Sequence, residues 1–364
     1  MVKYNKPDNI VSGHRRFKEL DALRGVAVLI VALFHYSLAY DYHYHLKEPG
    51  KFYLVYGNFA VYLFFVISGF VIFMTLDKTE TGTDFLISRF SRLYPAYWAA
   101  IFITVIFLKL FPVPTLGKYT LSEIAINMTM FEAFFKVRFI DQVYWTLKIE
   151  LTFYILMFLV FLTKYLRKIN LICLIWLGLS LISSLVNFPL KQFADAVFIL
   201  QYAPFFIAGI NFYNLIKNRS NYVNHVIIML SFFVNISWLW QAFDPEYNYS
   251  PIIATIIVFC IYIVFYLFVY DRLNILKNGI LVFFGAISYS LYLIHNVIGY
   301  SIIYRLRMII NSEWFYIPVT LLLTTIIAIL LNVIIEKPAM KFIRNKYKKY
   351  KEQKKAELFS EARG

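Results

Sequence analysis

Apolar residues occur in long uninterrupted runs from near the start of the chain to near its end, and the charged residues are concentrated between them. A helix needs roughly 20 consecutive apolar residues to cross the hydrocarbon core of a bilayer. The runs therefore predict an all-α protein, a polytopic bundle of about ten membrane-spanning helices. Their predicted ranges are 20–40, 53–76, 93–111, 145–163, 170–188, 195–216, 224–243, 250–270, 280–303 and 315–336.

The basic residues lie mainly at the ends of these runs, and on one side of the bundle if the chain begins in the cytoplasm. Five occur in the first 19 residues, Arg89 and Arg92 precede the third run, and 341-KFIRNKYKKYKEQKK-355 follows the tenth. Cytoplasmic loops of membrane proteins carry an excess of Lys and Arg, so both termini are predicted to be cytoplasmic. Arg305 and Arg307, after the ninth run, are the main exceptions.

The composition indicates the same class of protein. The chain of 364 residues is 60% hydrophobic and 16% charged, which is outside the usual balance of a soluble domain. The net charge of +15 comes from basic residues at the ends of the runs, where they orient the protein in the membrane. Nucleic acid is therefore not expected as a partner. We expect a basic head at 1–19, one membrane domain at 20–340 and a basic tail at 341–364, in the cytoplasmic (inner) membrane of the cell. Any chemistry must then take place within the bundle.

Arg24 and His35 are the two residues of the first run that need an explanation. Arg24 and His35 are eleven positions apart, which on a helix is three turns plus roughly 20°, so they share one face at heights about 16 Å apart. Ionisable side chains within a bilayer are costly and usually face a functional interior. The structural alternatives are that Arg24 extends to the lipid headgroups and that His35 is a hydrogen-bonded interior residue. For His35 we favour a functional role.

Glu150, in 145-WTLKIELTFYILMF-158, is predicted to lie at about the same height as His35. A buried carboxylate needs a partner or takes up a proton. In a Glu–His pair the carboxylate orients the imidazole and stabilises its charged form, which makes the pair a minimal general base. We therefore predict that Glu150 orients His35. A purely structural hydrogen bond between helices is the alternative.

His295, in 286-AISYSLYLIHN-296, is about fifteen residues from the cytoplasmic end of its run, as His35 is in the first. The two histidines are therefore predicted at the same level. We include His295 in the catalytic site without assigning it a chemical step, and a polar seam that packs two helices is an equal alternative.

Arg89 and Arg92 are three positions apart and hence neighbours on a helix face. Paired guanidinium groups suit multidentate binding of phosphate. Basic residues at a helix end also anchor the helix at the cytoplasmic surface, and taken alone this pair fits that role better.

These stretches together resemble the bacterial acyltransferase 3 family of ten-span membrane acyltransferases. The matching segments, in chain order, are 24-RGVAVLIVALFH-35 (Arg-x10-His), FFVISGF at 64–70, Arg-x-x-Arg-x-Tyr-Pro at 89–95, WTL…E…FY at 145–154, ISYSLYLIH at 287–295 and 335-IEKPAMKF-342. Each segment is weak evidence alone, but their order and spacing over residues 17–344 make the resemblance specific.

The resemblance implies transfer of an acyl group, usually acetyl, from cytoplasmic acyl-coenzyme A to a hydroxyl of a carbohydrate, a glycolipid or another surface molecule. It places Arg24 and His35 in an essential first-helix motif and assigns Arg89 and Arg92 to the phosphates of coenzyme A. Our own hypothesis adds that Arg24 closes the entrance and that the thioester reaches His35. Acyl-coenzyme A is then a donor substrate, with no permanently bound cofactor and no metal expected.

Two departures from the family pattern qualify this expectation. Many members carry a second acid after the fourth-helix glutamate, where this chain has Leu151, so Glu150 would act alone. Some members append an extracytoplasmic esterase-like domain. None is seen in this sequence, which favours lipid-linked or exported sugars as acceptors.

Two other functions stay open. A glycosyltransferase that uses lipid-linked sugars would place acids in its first external loop, where Asp41 and Glu48 lie in 41-DYHYHLKEPGK-51. His43 and His45 in that loop could bind a metal, although an exposed interfacial loop is the simpler interpretation. A glycolipid transporter would use Glu150 and the histidines as a proton relay.

The sequence does not determine the acceptor, the acyl chain or the oligomeric state. It also leaves open the choice between direct transfer and an acyl-histidine intermediate.

Overall fold

The computed structural model describes residues 17–46, 51–132, 134–241, 249–277 and 279–361. In these ranges ten helices are long and apolar enough to cross a membrane, and there is no β-strand. Their bounds are Lys18–His43 (α1), Gly57–Leu76 (α2), Gly82–Leu110 (α3), Gln142–Leu162 (α4), Tyr165–Leu185 (α5), Lys191–Lys217 (α6), Tyr222–Gln241 (α7), Pro251–Val269 (α8), Gly279–Arg307 (α9) and Glu313–Leu331 (α10).

The ten predicted runs each correspond to one of these helices, so the predicted helical membrane bundle is confirmed. Helix α1 contains a π turn, and α6 is interrupted between Phe198 and Ala203. A short helix, Leu121–Asn127, lies in the long connection between α3 and α4.

The start of α3 differs from the prediction. The helix begins at Gly82, so Arg89 and Arg92 lie inside it rather than before it. The cause is a capping box, in which the Thr81 hydroxyl accepts from the Asp84 backbone N–H and the Asp84 carboxylate accepts from the Thr81 N–H. Hydropathy does not detect this start, because the first three turns of the helix mix polar and charged residues with apolar ones.

The C-terminal segment also differs from a simple basic tail. After α10 a π turn, Asn332–Glu336, leads directly into a helix, Lys337–Glu361 (α11). This helix packs against the beginning of α3, where Lys351 Nζ lies 3.1 Å from Asp84 Oδ2. The predicted tail is thus a structural part of the bundle.

Close packing of α1 on α9 fixes the central pair of helices. A Cβ atom at Gly285 would lie 1.8 Å from the Asp21 carbonyl oxygen, and one at Gly25 would lie 2.2 Å from the Leu281 carbonyl oxygen. Neither contact is possible for a larger residue, so the two helix backbones touch at this level. The contact lies directly beside Arg24 and sets its position.

The basic residues that flank the predicted runs meet at one end of the bundle. Lys277 Nζ lies 3.1 Å from Glu19 Oε1, and Lys217 Nζ lies 2.5 Å from Asp77 Oδ2. We call this the tail end, because α11 begins there, and the opposite end, where α1 terminates at His43, the far end. That the tail end faces the cytoplasm stays a prediction from the charge distribution.

Candidate active site

A cavity of about 340 Å³ lies between α1, α2, α3, α4 and α9, and α11 forms part of its wall at the tail end. Hydroxyl, aromatic and aliphatic side chains form most of its wall. The charged residues among its lining are Arg24, Arg89, Arg92, Arg344 and Glu150. Four arginines against one glutamate give the cavity a positive potential, which suits an anionic ligand.

Arg92 is the arginine that already has a strong partner. Its guanidinium forms an ion pair with Glu336, the last residue of the second π turn. Glu336 is 2% exposed, and it also accepts from Ser290 Oγ at 2.5 Å and from Asn332 Nδ2 at 2.9 Å. Arg92 is therefore held in place by a network that joins α3, α9 and the π turn.

Arg89 has weaker partners. Its Nη2 donates to Ser88 Oγ at 2.9 Å, and its guanidinium carbon lies 5.9 Å from the centre of the Tyr154 ring. Its Nε is buried without a hydrogen-bond partner, and no ion pair in the described part of the chain includes it. A buried donor without an acceptor is costly, so this group is suited to receive one from a ligand.

Glu150 does not pair with His35, which corrects the predicted dyad. Its Oε1 accepts from Ser68 Oγ at 3.0 Å and from the Tyr154 hydroxyl, and it faces the arginine cavity. In the described structure no hydrogen bond joins Glu150 to His35. The prediction used height along each helix, which does not determine the direction in which a side chain leaves the helix axis.

His35 lies instead against His295, at the level that the sequence predicted for both. Their ring centroids are 5.0 Å apart and the rings are nearly perpendicular, at 84°. His35 Nδ1 lies 3.2 Å from the Val31 carbonyl oxygen, and His295 Nδ1 lies 2.8 Å from that of Tyr292. A carbonyl can only accept, so each Nδ1 carries a proton and each neutral ring keeps Nε2 as its proton acceptor. His295 Nε2 is buried without a hydrogen-bond partner.

A π turn at His35–Ala39 begins at this histidine. One extra residue in a turn rotates the side chains on either side of it relative to a regular helix, and such turns often occur at functional sites. Together with the turn that ends at Glu336, the described chain has π turns at two of the motif residues.

Tyr292 connects the arginine cavity to the histidine pair. Its hydroxyl lies in the cavity wall, 2.7 Å from Thr146 Oγ1, and its ring centroid is 5.4 Å from that of His295. The inner end of the cavity is thus one aromatic ring from the histidines.

Asp141 supports the turn of α9 that carries His295. Its carboxylate accepts from Asn296 Nδ2 at 2.7 Å and from the Val297 backbone N–H at 3.0 Å. Asp141 is fully buried just before α4, and burial raises the pKa of its carboxyl to about 6. The residue ties the loop before α4 to α9 and was not identified from the sequence.

A second cavity, of about 390 Å³, opens at the far end. Tyrosines 40, 44 and 304 line it together with Arg307 and Asn311. The Tyr300 ring lies between this cavity and the site, 5.3 Å from the Tyr40 ring and 6.5 Å from the His35 ring. The histidine pair therefore lies between two cavities that approach it from opposite ends of the bundle.

The residues proposed for the alternative functions have other partners. Asp41 forms an ion pair with Lys51, and it accepts from Arg307 at 3.2 Å and from the Tyr53 hydroxyl at 3.0 Å. His43 Nε2 lies 2.9 Å from Thr115 Oγ1. Glu48 lies outside the described residues.

Two lining residues, Ser68 and Tyr154, and two residues of the C-terminal segment, Glu336 and Arg344, belong to the site but were given no role from the sequence. The motif 335-IEKPAMKF-342 was the available signal for Glu336, since a glutamate within an apolar run is rare. Arg344 gave no signal, because it is one basic residue among many in 341–355.

Comparison with known proteins identifies the class of chain to which this architecture belongs. A family model described as an acyltransferase domain matches residues 17–333. A protein of Acidianus two-tailed virus named "Putative acetyltransferase ORF330" is 25% identical over 292 residues, which is 75% of this chain and 80% of the viral protein. "Protein 2 in picA locus" of Rhizobium radiobacter is 38% identical over 91 residues, or 24% of this chain and 42% of that protein. No solved structure matches.

Proposed function

The chain belongs to the acyltransferase 3 family of membrane acyltransferases, and from this premise we propose that it transfers an acetyl group from acetyl-coenzyme A to a hydroxyl of a cell-surface carbohydrate or its lipid-linked precursor. The donor enters at the tail end, which the charge distribution predicts to be cytoplasmic. The acceptor approaches the histidine pair from the far end.

The observation that carries the proposal is the charge of the arginine cavity. Four arginines and one glutamate line it, and Arg89 has a buried Nε without an acceptor. Acyl-coenzyme A is a multiply charged phosphate ester with a long uncharged arm that ends in the thioester. Guanidinium groups are the preferred partners of phosphate, and the apolar and hydroxyl-bearing wall toward Tyr292 suits the arm.

The histidine pair supplies the proton transfer in this proposal. His35 Nε2 takes the proton of the acceptor hydroxyl as the oxygen attacks the thioester carbonyl. The carbon–oxygen bond forms, the carbon–sulfur bond breaks, and the proton passes from His35 to the departing thiolate of coenzyme A. The His295 ring lies against that of His35, and its unpartnered Nε2 makes it the group that relays this proton. In the alternative route His35 Nε2 attacks the thioester carbonyl, the carbon–sulfur bond breaks, and the departing thiolate takes up the proton that the ring loses. The acceptor hydroxyl then attacks the acyl-histidine, the carbon–nitrogen bond breaks, and the hydroxyl proton returns to the imidazole.

Glu150 acts on the donor side in this scheme. Its hydrogen bonds to Ser68 and Tyr154 place its charge beside Arg89 rather than beside His35. It thereby holds the lining of the cavity in the arrangement that receives the phosphates, as a positioning residue.

The tyrosine-lined cavity at the far end is the proposed entrance for the acceptor. Tyrosine rings offer apolar faces for the faces of sugar rings and hydroxyls for hydrogen bonds. Arg307 and Asn311 add polar groups to the same wall. A carbohydrate is thus a fitting class of acceptor for this surface.

The test is to supply three labelled compounds to membranes that contain the protein. Radiolabelled acetyl-coenzyme A, a lipid-linked sugar donor and a labelled glycolipid distinguish an acyltransferase from a glycosyltransferase and from a transporter. We expect label from acetyl-coenzyme A to enter carbohydrate with stoichiometric release of free coenzyme A. Consumption of the sugar donor, or movement of the glycolipid without acyl transfer, would contradict the proposal.

A further inference from the structure

Arg344 is the arginine of the cavity that comes from outside the membrane-spanning helices. It lies on α11, and its side chain reaches across to α3. Its Nε lies 3.1 Å from Ser91 Oγ, and its Nη2 lies 3.3 Å from the Ser88 carbonyl oxygen. Ser91 is 1% exposed, so the anchor of this guanidinium is a buried hydroxyl.

Arg344 also lacks an acidic partner. No ion pair in the described part of the chain includes it, whereas Arg92 is paired with Glu336 and Arg24 Nη1 lies 3.8 Å from Asp21 Oδ1. Arg344 is exposed and lies at the tail-end mouth of the cavity, while Arg89 and Arg92 lie further in. Two hydrogen bonds to uncharged acceptors leave its charge available to a ligand.

The order of the arginines matches the order of charges along coenzyme A. The thioester ends the pantetheine arm, the diphosphate follows, and the ribose 3′-phosphate is at the opposite end of the molecule. If the proposed function holds and the thioester lies near the histidines, the diphosphate lies near Arg89 and Arg92. The ribose phosphate then lies at the mouth, where Arg344 is.

We propose that Arg344, positioned by Ser91, binds the 3′-phosphate of the acyl-coenzyme A donor. Helix α11 is then a wall of the donor site and not only a structural part of the bundle. The inference rests on the proposed function, since it names the group of the same donor that this arginine recognises. The competing role is structural, with Arg344 only fastening α11 to α3 through Ser88 and Ser91.

The two roles are separated by comparing acetyl-coenzyme A with acetyl-dephospho-coenzyme A, which lacks the 3′-phosphate. We expect Arg344→Ala to raise the KM for acetyl-coenzyme A by roughly 10-fold, the size expected for a charged hydrogen bond. Its KM for the dephospho donor should stay within about two-fold of wild type, and kcat should be unchanged with both. Arg344→Lys keeps the charge and should show a smaller rise.

Two further variants control the experiment. Lys349→Ala removes a positive charge from an exposed position of the same helix and should change neither KM. Ser91→Ala keeps Arg344 but removes its anchor, so it should raise the KM for acetyl-coenzyme A alone. Size-exclusion profiles in detergent show whether each variant is folded.

An equal rise in KM with both donors would assign Arg344 a structural role and overturn the inference. A wild-type protein that uses both donors equally well would overturn it too. If wild type releases coenzyme A from neither donor while membranes handle a different labelled substrate, the proposed function fails, and the inference fails with it.

Discussion

His35 and His295 have the same hydrogen-bonding pattern but different surroundings. Each Nδ1 faces a backbone carbonyl oxygen one turn earlier in its own helix. His35 is the nearer of the two to Tyr300 and the far cavity, and His295 is the nearer to Tyr292 and the arginine cavity. The acceptor would therefore meet His35 first, which is why we assign proton removal to it.

Substitution of His35 by Ala should remove acyl transfer while the protein stays folded and in the membrane. We expect kcat to fall by at least about 10²-fold, the usual contribution of a positioned general base. Release of free coenzyme A measures the rate, and extraction with a sharp size-exclusion peak measures folding. His35→Ala with full activity would exclude both the general-base route and the acyl-histidine route.

Arg89 and Arg92 should respond differently to the same substitution, although the sequence presents them as a pair. Arg89 makes no ion pair in the described structure, so Arg89→Ala should raise the KM for acetyl-coenzyme A with little loss of thermal stability. Arg92→Ala leaves buried Glu336 without its counter-charge and should destabilise by on the order of 3 kcal/mol.

A second substitution tests that reason. Glu336→Gln removes the charge left behind, so it should recover part of the melting temperature lost in Arg92→Ala, measured by thermal unfolding in detergent. If Arg89→Ala and Arg92→Ala lower the melting temperature equally, and Glu336→Gln restores none of the loss in Arg92→Ala, then the two arginines do not differ in the way proposed here.

At the level of the helices, the sequence predicted that the chain forms a bundle. It did not predict which side chains of neighbouring helices contact each other. Ten runs of spanning length determine ten helices because lipid tolerates few other structures. Height along a helix could be counted, and it placed His35 level with His295 correctly. The direction in which a side chain leaves the helix axis could not be counted in this way, and for that reason Glu150 was assigned to the wrong partner. The π turn at His35 leaves no trace in hydropathy, and the mixed polar and apolar residues in the first turns of α3 concealed its start at Gly82.

The contact between α1 and α9 gives a prediction about packing. Gly25→Ala would place a methyl group 2.2 Å from the Leu281 carbonyl oxygen, so the helices must separate or the variant must unfold. We expect a lower melting temperature and reduced activity, since the same contact sets the position of Arg24 and of the histidine pair above it.

Gly178→Ala in α5 is the matched control, because a Cβ there has no neighbour within 4 Å. That variant should melt at the wild-type temperature or slightly above it, since Ala is the better helix former. Equal behaviour of the two variants would show that α1 and α9 do not approach as closely as the backbone contacts indicate.

On the scale of the whole protein, the two cavities described above approach one pair of histidines from opposite ends, each with an aromatic ring between cavity and histidines. A membrane protein with this arrangement can take a charged donor from one compartment and an acceptor from the other without moving either across the bilayer. The proposed function therefore makes a directional prediction. Acetyl-coenzyme A should be consumed only when it is present on the side of the membrane to which α11 belongs.

Purified protein reconstituted into sealed vesicles tests this direction. A C-terminal protease-sensitive tag identifies the fraction of molecules whose tail end faces outward, and acetyl-coenzyme A is added outside only. Initial coenzyme A release should follow that fraction and should double, at most, when detergent opens vesicles of evenly mixed orientation. Release that follows the opposite fraction would place the donor at the tyrosine-lined cavity, and would require the arginine cavity to bind something other than coenzyme A.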